Sequence, residues 1–509
     1  MKLAKLTNDC FLEIIKNFEY DHHTLYNCLL VNRLFCRFIV PLLWANPFYN
    51  SSKYSINVIS IFLIYLDENK KHKLTSNKYQ ADLSCTHIFQ KTLFEYADFL
   101  ETYSNFEIRN VISSWYQYTQ DISKPSLEIA TLMAIQSMLF RRCKRIKKFY
   151  ILVAEDSSSF PLIPVSWYFS SELKECEFKF ISSNSRHCMN VYNYINLISI
   201  SNKRIQTIRI MNCNEAMQPY CREPLLNLIS AQTELKELEL IYYFPFNFTP
   251  FMRQKKFQNF RKLILDGIKF DKDNLANCAP NLENLLIKNS FGNPFEESKN
   301  NLHNLQRLEL EGNEIGLNRI VLKAKSESLK FFRIKKRELS IEVKEEFILL
   351  LSQNYPNITT LSYITDNLIF SSTLKIFKKL YKLQIEGFAY YDLTSYNNQD
   401  YLRAIVRNLP NSLKILDLLN FDDYSHENLN CFLQDFDVVR VKLEVLILPF
   451  DIEIDLLPNL KIFIENAKYL RHIEILRSEN YNTEKQKDSE REIIELCRVR
   501  NIKCILNYQ

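Results

Sequence analysis

Leu305-Gln306-Arg307-Leu308-Glu309-Leu310-Glu311-Gly312-Asn313 is the stretch that decides the fold. Leu305, Leu308 and Leu310 stand at L-x-x-L-x-L spacing, and Asn313 closes the run. Apolar and polar residues alternate from Leu308 to Glu311, the period of a strand with one buried face. The same three apolar positions recur before it, at Ile146/Phe149/Ile151, Leu173/Cys176/Phe178, Ile205/Ile208/Ile210 and Leu235/Leu238/Leu240. Phe260/Leu263/Leu265 and Leu282/Leu285/Ile287 lead into it. After it come Leu329/Phe332/Ile334, Ile358/Leu361/Tyr363, Leu380/Leu383/Ile385, Leu413/Leu416/Leu418, Leu443/Leu446/Leu448 and Leu470/Ile473/Ile475. Twelve intervals separate Ile146 from Leu470; they average 27 residues and run from 22 to 33.

A strand signature returning every ~20–29 residues marks a leucine-rich repeat. Amphipathic segments fill the gaps between strands, as at 343–351, 401–409 and 427–436. Ala279-Pro280-Asn281, Tyr355-Pro356-Asn357 and Leu409-Pro410-Asn411 stop a helix just before a strand, because proline cannot continue one. Pro458-Asn459-Leu460 has no strand after it for ten residues and reads as helix. The segment 490–498 followed by 502–506 reads as a last helix and edge strand. The expected fold is α/β, a leucine-rich-repeat solenoid with parallel strands on its concave face and helices on its convex face. Consensus leucines are then core, and the residues between them are the readers of any target. Those candidates are Glu237, Glu239, Lys262, Ile264, Leu286, Lys288, Arg307, Glu309, Glu311, Phe331 and Arg333. Exposed apolar residues interleaved with charge fit a protein-binding face. Glu309 and Glu311, two apart on a strand, read as a solvated pair.

Composition narrows the alternatives. The chain has 509 residues but only five glycines, Gly267, Gly292, Gly312, Gly316 and Gly387. None is spaced as a dinucleotide-binding or phosphate-binding loop, or as a hydrolase nucleophile elbow, requires. Turns must therefore rely on asparagine, which tolerates left-handed backbone better than other non-glycine residues. Net charge is +6, with basic and acidic residues intermixed, so no nucleic-acid footprint is expected. Thirteen cysteines form no C-x-x-C pair, and several lie in apolar stretches, as reduced intracellular thiols do. His22-His23 is the one histidine cluster and sits in a polar turn, so no metal or other cofactor is expected. The N-terminus carries no apolar signal core, and the longest apolar run, 58–66, is too short for a membrane span.

Residues 48–145 form a helical linker that caps the solenoid, with helices expected around 56–66, 88–100 and 127–139. Residues 1–47 read as three short helices, apolar on nearly every side. Asp9 stands where it can cap the first, Thr24 can start the second, and Pro41 opens or kinks the last turn. Such helices must cover their apolar surface with the next region, with a partner, or with both.

The run Leu6…Asp9-Cys10-Phe11-Leu12-Glu13-Ile14-Ile15…Leu25…Cys28-Leu29-Leu30-Val31-Asn32-Arg33-Leu34-Phe35-Cys36…Pro41-Leu42-Leu43-Trp44 resembles an F-box motif, as found in fungal F-box/leucine-rich-repeat proteins. Leu6-Thr7 replaces the family's Leu-Pro, Asn32 a cysteine, and Phe35 a tryptophan. The resemblance implies three domains: 1–47 an F-box, 48–145 the linker, and 146–509 the repeats. It implies a substrate-recognition subunit of an SCF-type E3 ubiquitin ligase, inside the cell in cytoplasm or nucleus. The F-box would bind a Skp-family adaptor, and through it cullin, while the repeats bind a target protein. Adaptor contacts would come from Leu6, Leu12, Ile15, Leu29, Leu30, Val31, Arg33, Leu43 and Trp44. Such a chain is not an enzyme and touches neither nucleic acid nor membrane. The alternative is a non-ligase repeat scaffold for protein interaction. A cysteine enzyme would need a thiol beside a base, and Cys85 near His87 and Cys188 near His187 are the nearest approaches.

Overall fold

The computed structural model describes residues 8–18, 21–49, 53–75, 92–118, 125–153, 172–181, 185–213, 218–247, 257–270, 275–294, 302–335, 341–364, 374–386, 403, 405–420, 426–448, 457–477 and 484–508. It divides into two compact units, residues 1–244 and 245–509.

The first unit opens with helices α1 (Asn8–Lys16), α2 (His22–Leu29) and α3 (Arg33–Ala45). The caps differ from the sequence expectation by a residue or more. Helix α1 already begins at Asn8, which places Asp9 inside it. Asp21, not Thr24, caps α2, its carboxylate accepting from the Thr24 N–H at 3.0 Å and the Thr24 hydroxyl at 2.6 Å. Asn32 caps α3 by accepting from the N–H of Leu34 at 2.9 Å and of Phe35 at 3.0 Å. Pro41 lies within α3, and the helix continues past it to Ala45.

Helices α4 (Lys53–Ile64), α5 (Glu68–Thr75), α6 (Asn105–Tyr118) and α7 (Pro125–Arg142) follow. The helix expected over 88–100 is not formed there. Residues 88–91 lie outside the described residues, and the remainder holds one 3₁₀ turn, Tyr96–Phe99. The repeat sheet also begins one strand earlier than counting from Ile146 indicates. Strand β1 (Thr102–Ser104) pairs in parallel with β2 (Lys148–Val153). Next come β3 (Glu175–Phe180), β4 (Thr207–Cys213) and β5 (Glu237–Asn247), each parallel to its predecessor. Helices Ser185–Ser201 and Gln218–Ala231 connect them and pack on each other.

The second unit repeats the plan. Its strands are β6 (Lys262–Phe270), β7 (Asn284–Lys288), β8 (Phe291–Gly292), β9 (Arg307–Glu311), β10 (Phe331–Lys335), β11 (Thr360–Ile364), β12 (Lys382–Glu386), β13 (Ile415–Asn420), β14 (Val445–Leu448), β15 (His472–Arg477) and β16 (Lys503–Tyr508). They are parallel and hydrogen bond in chain order, except that the two-residue β8 pairs with the end of β6. Helices Ile341–Asn354, His426–Asp435, Leu457–Asn466 and Glu484–Val499 lie in the connections, and the third contains Pro458 as expected. Each unit is an α/β leucine-rich-repeat array.

All thirteen consensus triplets are buried. Along β2, β3, β7 and β10 burial alternates strictly, each consensus side chain inward and its neighbours half-exposed. Each buried leucine or phenylalanine removes apolar area worth roughly 1.5–3 kcal/mol from water. That burial is shared with the adjacent repeats, because the strand register aligns like positions: Leu285 with Leu308, then Leu308 with Phe332. The stack continues from repeat to repeat for as long as the triplet recurs.

Turns bear out the glycine arithmetic. Asn212, Asn289 and Asn501 hold positive φ, as do Gly267, Gly292 and Gly312. At Gly292 (φ +95°) a side chain would also collide with the Phe270 carbonyl oxygen. Gly387 lies outside the described residues. Asn313, the consensus asparagine, is fully buried. Its amide oxygen accepts from the Ser290 N–H at 2.9 Å, and its NH₂ donates to the Ile287 carbonyl at 2.7 Å. The Ser290 hydroxyl oxygen in turn accepts from the Ile268 N–H at 3.0 Å. This ladder ties the turns of three successive repeats. Asn313→Ala strands a buried N–H and a buried carbonyl, so a loss of about 2–3 kcal/mol is expected in chemical denaturation.

Candidate functional site

Sequence alone could not separate the apolar residues that hold α1–α3 together from those offered outward. The structure sorts them. Ile15, Leu25 and Ile39 form the core of the helical unit, with Phe11, Cys28, Leu29, Phe35, Leu42 and Leu43 packed around it. Phe11 meets Phe35 edge-on at 4.4 Å between ring centroids. Trp44 turns toward the linker, stacking on Tyr96 at 4.2 Å and meeting Phe62 edge-on at 5.5 Å. Among the nine candidate adaptor residues, then, Ile15, Leu29, Leu43 and Trp44 face protein, and Leu12 is half-buried. Leu6 lies outside the described residues.

Leu30, Val31 and Arg33 are exposed, Leu30 to 69% and Val31 to 61%. They cluster at the α2–α3 corner. Leu30 and Val31 leave α2 by donating backbone N–H groups to Asn27 and Cys28 carbonyls, and the Asn32 cap restarts the chain as α3. Ile14, Tyr26 and Leu34 are exposed too and were not among the candidates. Their signal was present in part, since Tyr26 precedes Leu30 by one helical turn and Leu34 lies in the first turn of α3. What hid them is that apolar residues lie on nearly every side of these helices.

The candidate residues on the repeats all lie on strands and between buried positions. On the first unit, Glu239 belongs to a cluster centred on Arg209 of β4. Arg209 pairs with Glu175, lies 3.5 Å from Glu239 and reaches Glu177 at 4.0 Å. Glu237 lies on β5, in register with Thr207. Burial, together with neighbouring Glu175 and Glu239, holds the Glu177 carboxyl above its usual range, although Arg209 opposes this. Arg209→Met would leave three half-buried carboxylates facing each other. A loss on the order of 1–2 kcal/mol at pH 7 follows. Carboxylates that repel in the folded state have raised pKa values, so their penalty appears as pH rises through those values. The melting-temperature gap between variant and wild type should therefore shrink from pH 7 to pH 4.5.

On the second unit, register assembles the candidates into rows. Ile264 of β6 abuts Leu286 of β7, and Leu286 abuts Glu309 of β9, which abuts Arg333 of β10. Asp266, Lys288, Glu311 and Lys335 form the next row, with alternating sign. Lys288 pairs with Glu311 at 2.8 Å, Arg307 with Glu309 at 2.6 Å, and Arg333 with Glu309 at 3.6 Å. Burial would raise the Glu311 carboxyl, but the hydrogen bond from Lys288 and the charges of Lys288, Lys335 and Arg333 hold it below its usual range. Glu309 and Glu311 are thus the anchors of an ion-pair lattice, not a solvated pair. Arg307 also lies over the Phe331 ring at 3.8 Å. Lys262 begins the row that Asn284, Arg307 and Phe331 continue. An apolar step, Ile264 and Leu286, thus sits beside fixed charges of both signs, an arrangement suited to reading a protein surface.

Among the described residues no group of His, Cys, Asp and Glu could hold a metal ion, and no helix is long and apolar enough to cross a membrane. Cys85 lies outside the described residues, and Cys188 lies in the helix Ser185–Ser201. Buried Cys143 and Cys176 have thiols pushed well above the ordinary value by burial, the reverse of an activated nucleophile.

No family model and no curated protein matches the chain. Among solved structures it is similar to the leucine-rich-repeat-containing protein LegL7 from Legionella pneumophila, at 13% identity and a TM-score of 0.29, over 71% of this chain and 91% of that one. It is also similar to the yeast Rad7–Elc1 complex, at 11% identity and a TM-score of 0.33, over 95% of this chain and 97% of that one. The fold rests on the chain's own geometry: parallel strands in register, three buried consensus positions in each of the thirteen repeats from Ile146 to Ile475, and helices in the connections.

Proposed function

We propose that this chain is a substrate-recognition subunit of an SCF-type E3 ubiquitin ligase. Residues 6–44 dock on a Skp-family adaptor, and through it on cullin, while the sheet face of the repeats holds a target protein. The observation that carries the reading is the α2–α3 corner. The helical unit has its own core, yet Leu30, Val31 and Leu34 remain in solvent. Helices serving only to cap a solenoid would turn such residues toward residues 48–145, as Trp44 does. A group of exposed large apolar side chains around a capped corner supports a protein partner there. In this reading the chain performs no chemistry. It raises the target's concentration beside the ligase, in cytoplasm or nucleus, without a cofactor.

The test is a pull-down of the intact chain with a purified Skp-family adaptor. Binding is expected, and deletion of residues 1–47 should abolish it while the repeats keep their circular dichroism. An intact, folded chain that fails to bind the adaptor overturns the ligase reading and leaves a repeat scaffold.

A further inference from the structure

Three successive helix-to-strand turns of the second unit line an open cavity of about 450 Å³ on the rim of the sheet. Lys375 and Lys378 come from the turn before β12, Asn411 and Ser412 from the turn before β13, and Arg440 from the turn before β14. The lining contains three cations and no carboxylate.

The cations differ in how they are held. Arg440 is fixed: one guanidinium nitrogen donates to the Val406 carbonyl at 2.8 Å, and Asp437 lies 3.7 Å from its Nε while capping its backbone N–H at 2.9 Å. Lys375 and Lys378 are exposed and have no ion-pair partner among the described residues. Some basic side chains on this rim are neutralised by neighbours, as in Lys414–Glu444 at 3.1 Å and Arg261–Glu283 at 3.2 Å. At the cavity Asp437 matches Arg440 alone, and the two lysines leave net positive charge around a concave space.

We infer that this cavity is a binding site for a phosphate monoester. A monoester brings about −1.5 to −2 charges and three acceptor oxygens, which two exposed ammonium groups and one fixed guanidinium can meet together. A carboxylate brings one charge and leaves one of the two unpaired lysines unmatched. The volume exceeds that of a phosphate group, so atoms of the carrier enter as well. Asn411 and Ser412 stand on the wall to meet them. The site is independent of the adaptor surface on the first unit and of the ligase reading.

The test uses inorganic phosphate as the probe, on the intact chain, by calorimetry and thermal shift against sodium chloride and sodium acetate at equal ionic strength. Phosphate is expected to bind and to raise the melting temperature more than either control. The double variant Lys375→Glu/Lys378→Glu changes only exposed side chains and should weaken binding by about tenfold or more. Lys323→Glu/Lys503→Glu, with the same change of charge outside the cavity, should bind as wild type does. A phosphoserine peptide and glycerol phosphate then distinguish a modified protein from a small metabolite as the carrier. No phosphate binding, an equal response to acetate, or equal loss in both double variants would each overturn the site.

Discussion

Leu30→Asp is expected to abolish adaptor binding, by about a hundredfold or more, while leaving the fold intact. Leu30 ends α2 and is 69% exposed, so an aspartate there remains in water in the free chain. Stability should change by less than about 0.5 kcal/mol, the usual range for a surface substitution. In the complex the carboxylate would be stripped of water against an apolar partner with no cation provided for it, costing several kcal/mol. Val31→Asp should behave alike, being the adjacent exposed side chain. Leu25→Asp supplies the contrast. Leu25 is fully buried between α1 and α3, so it should lose binding by unfolding the helical unit, with circular dichroism lost in step. Surface plasmon resonance beside thermal melts separates the two cases. A Leu30→Asp variant that is folded and still binds at wild-type affinity would remove the α2–α3 corner from the docking surface.

The repeats were legible because two signals agree there. A strand with one buried face has period two, and stacking forces that period to recur at a nearly fixed interval; all thirteen triplets read from the sequence are buried. The strand that escaped, β1, shows what the signal depends on. Leu100 and Tyr103 occupy the first two consensus positions, but the third is Asn105. Its side chain accepts from the Leu152 N–H at 2.8 Å and donates to the Leu152 carbonyl at 2.9 Å, replacing apolar packing with two backbone hydrogen bonds. Apolar periodicity cannot register a repeat that is closed by an amide. The ion pairs were hidden for a different reason. That Glu309 meets Arg333 as well as Arg307 follows from the register of β9 on β10, 24 residues apart, and one sequence does not contain it. In the helical unit the obstacle was composition. When apolar residues lie on nearly every side, periodicity cannot tell Ile15, which is core, from adjacent Ile14, which is exposed.

Phe332→Ala should be the most damaging of the repeat substitutions, and its pattern of damage tests the architecture itself. Phe332 is buried on β10, in register with Leu308 of β9 and Leu361 of β11. Truncation removes apolar contacts toward two repeats and leaves a cavity, for a loss of about 3–5 kcal/mol. In a body held by nearest-neighbour contacts this loss is local. Native-state hydrogen exchange should show amides of β9, β10 and β11 losing most of their protection, and amides of β15 and β16 losing little. The hydrogen bonds that report it are the ladder bonds of the strand entries, such as Lys330 and Phe331 N–H to the Gln306 carbonyl at 2.9 and 3.0 Å. A graded profile along the second unit follows from one-dimensional stacking. An equal fall of protection in β6, β10 and β15 would mean that the unit opens as one cooperative body. The consensus positions would then act as a single shared core, and the nearest-neighbour account of the repeat would fail.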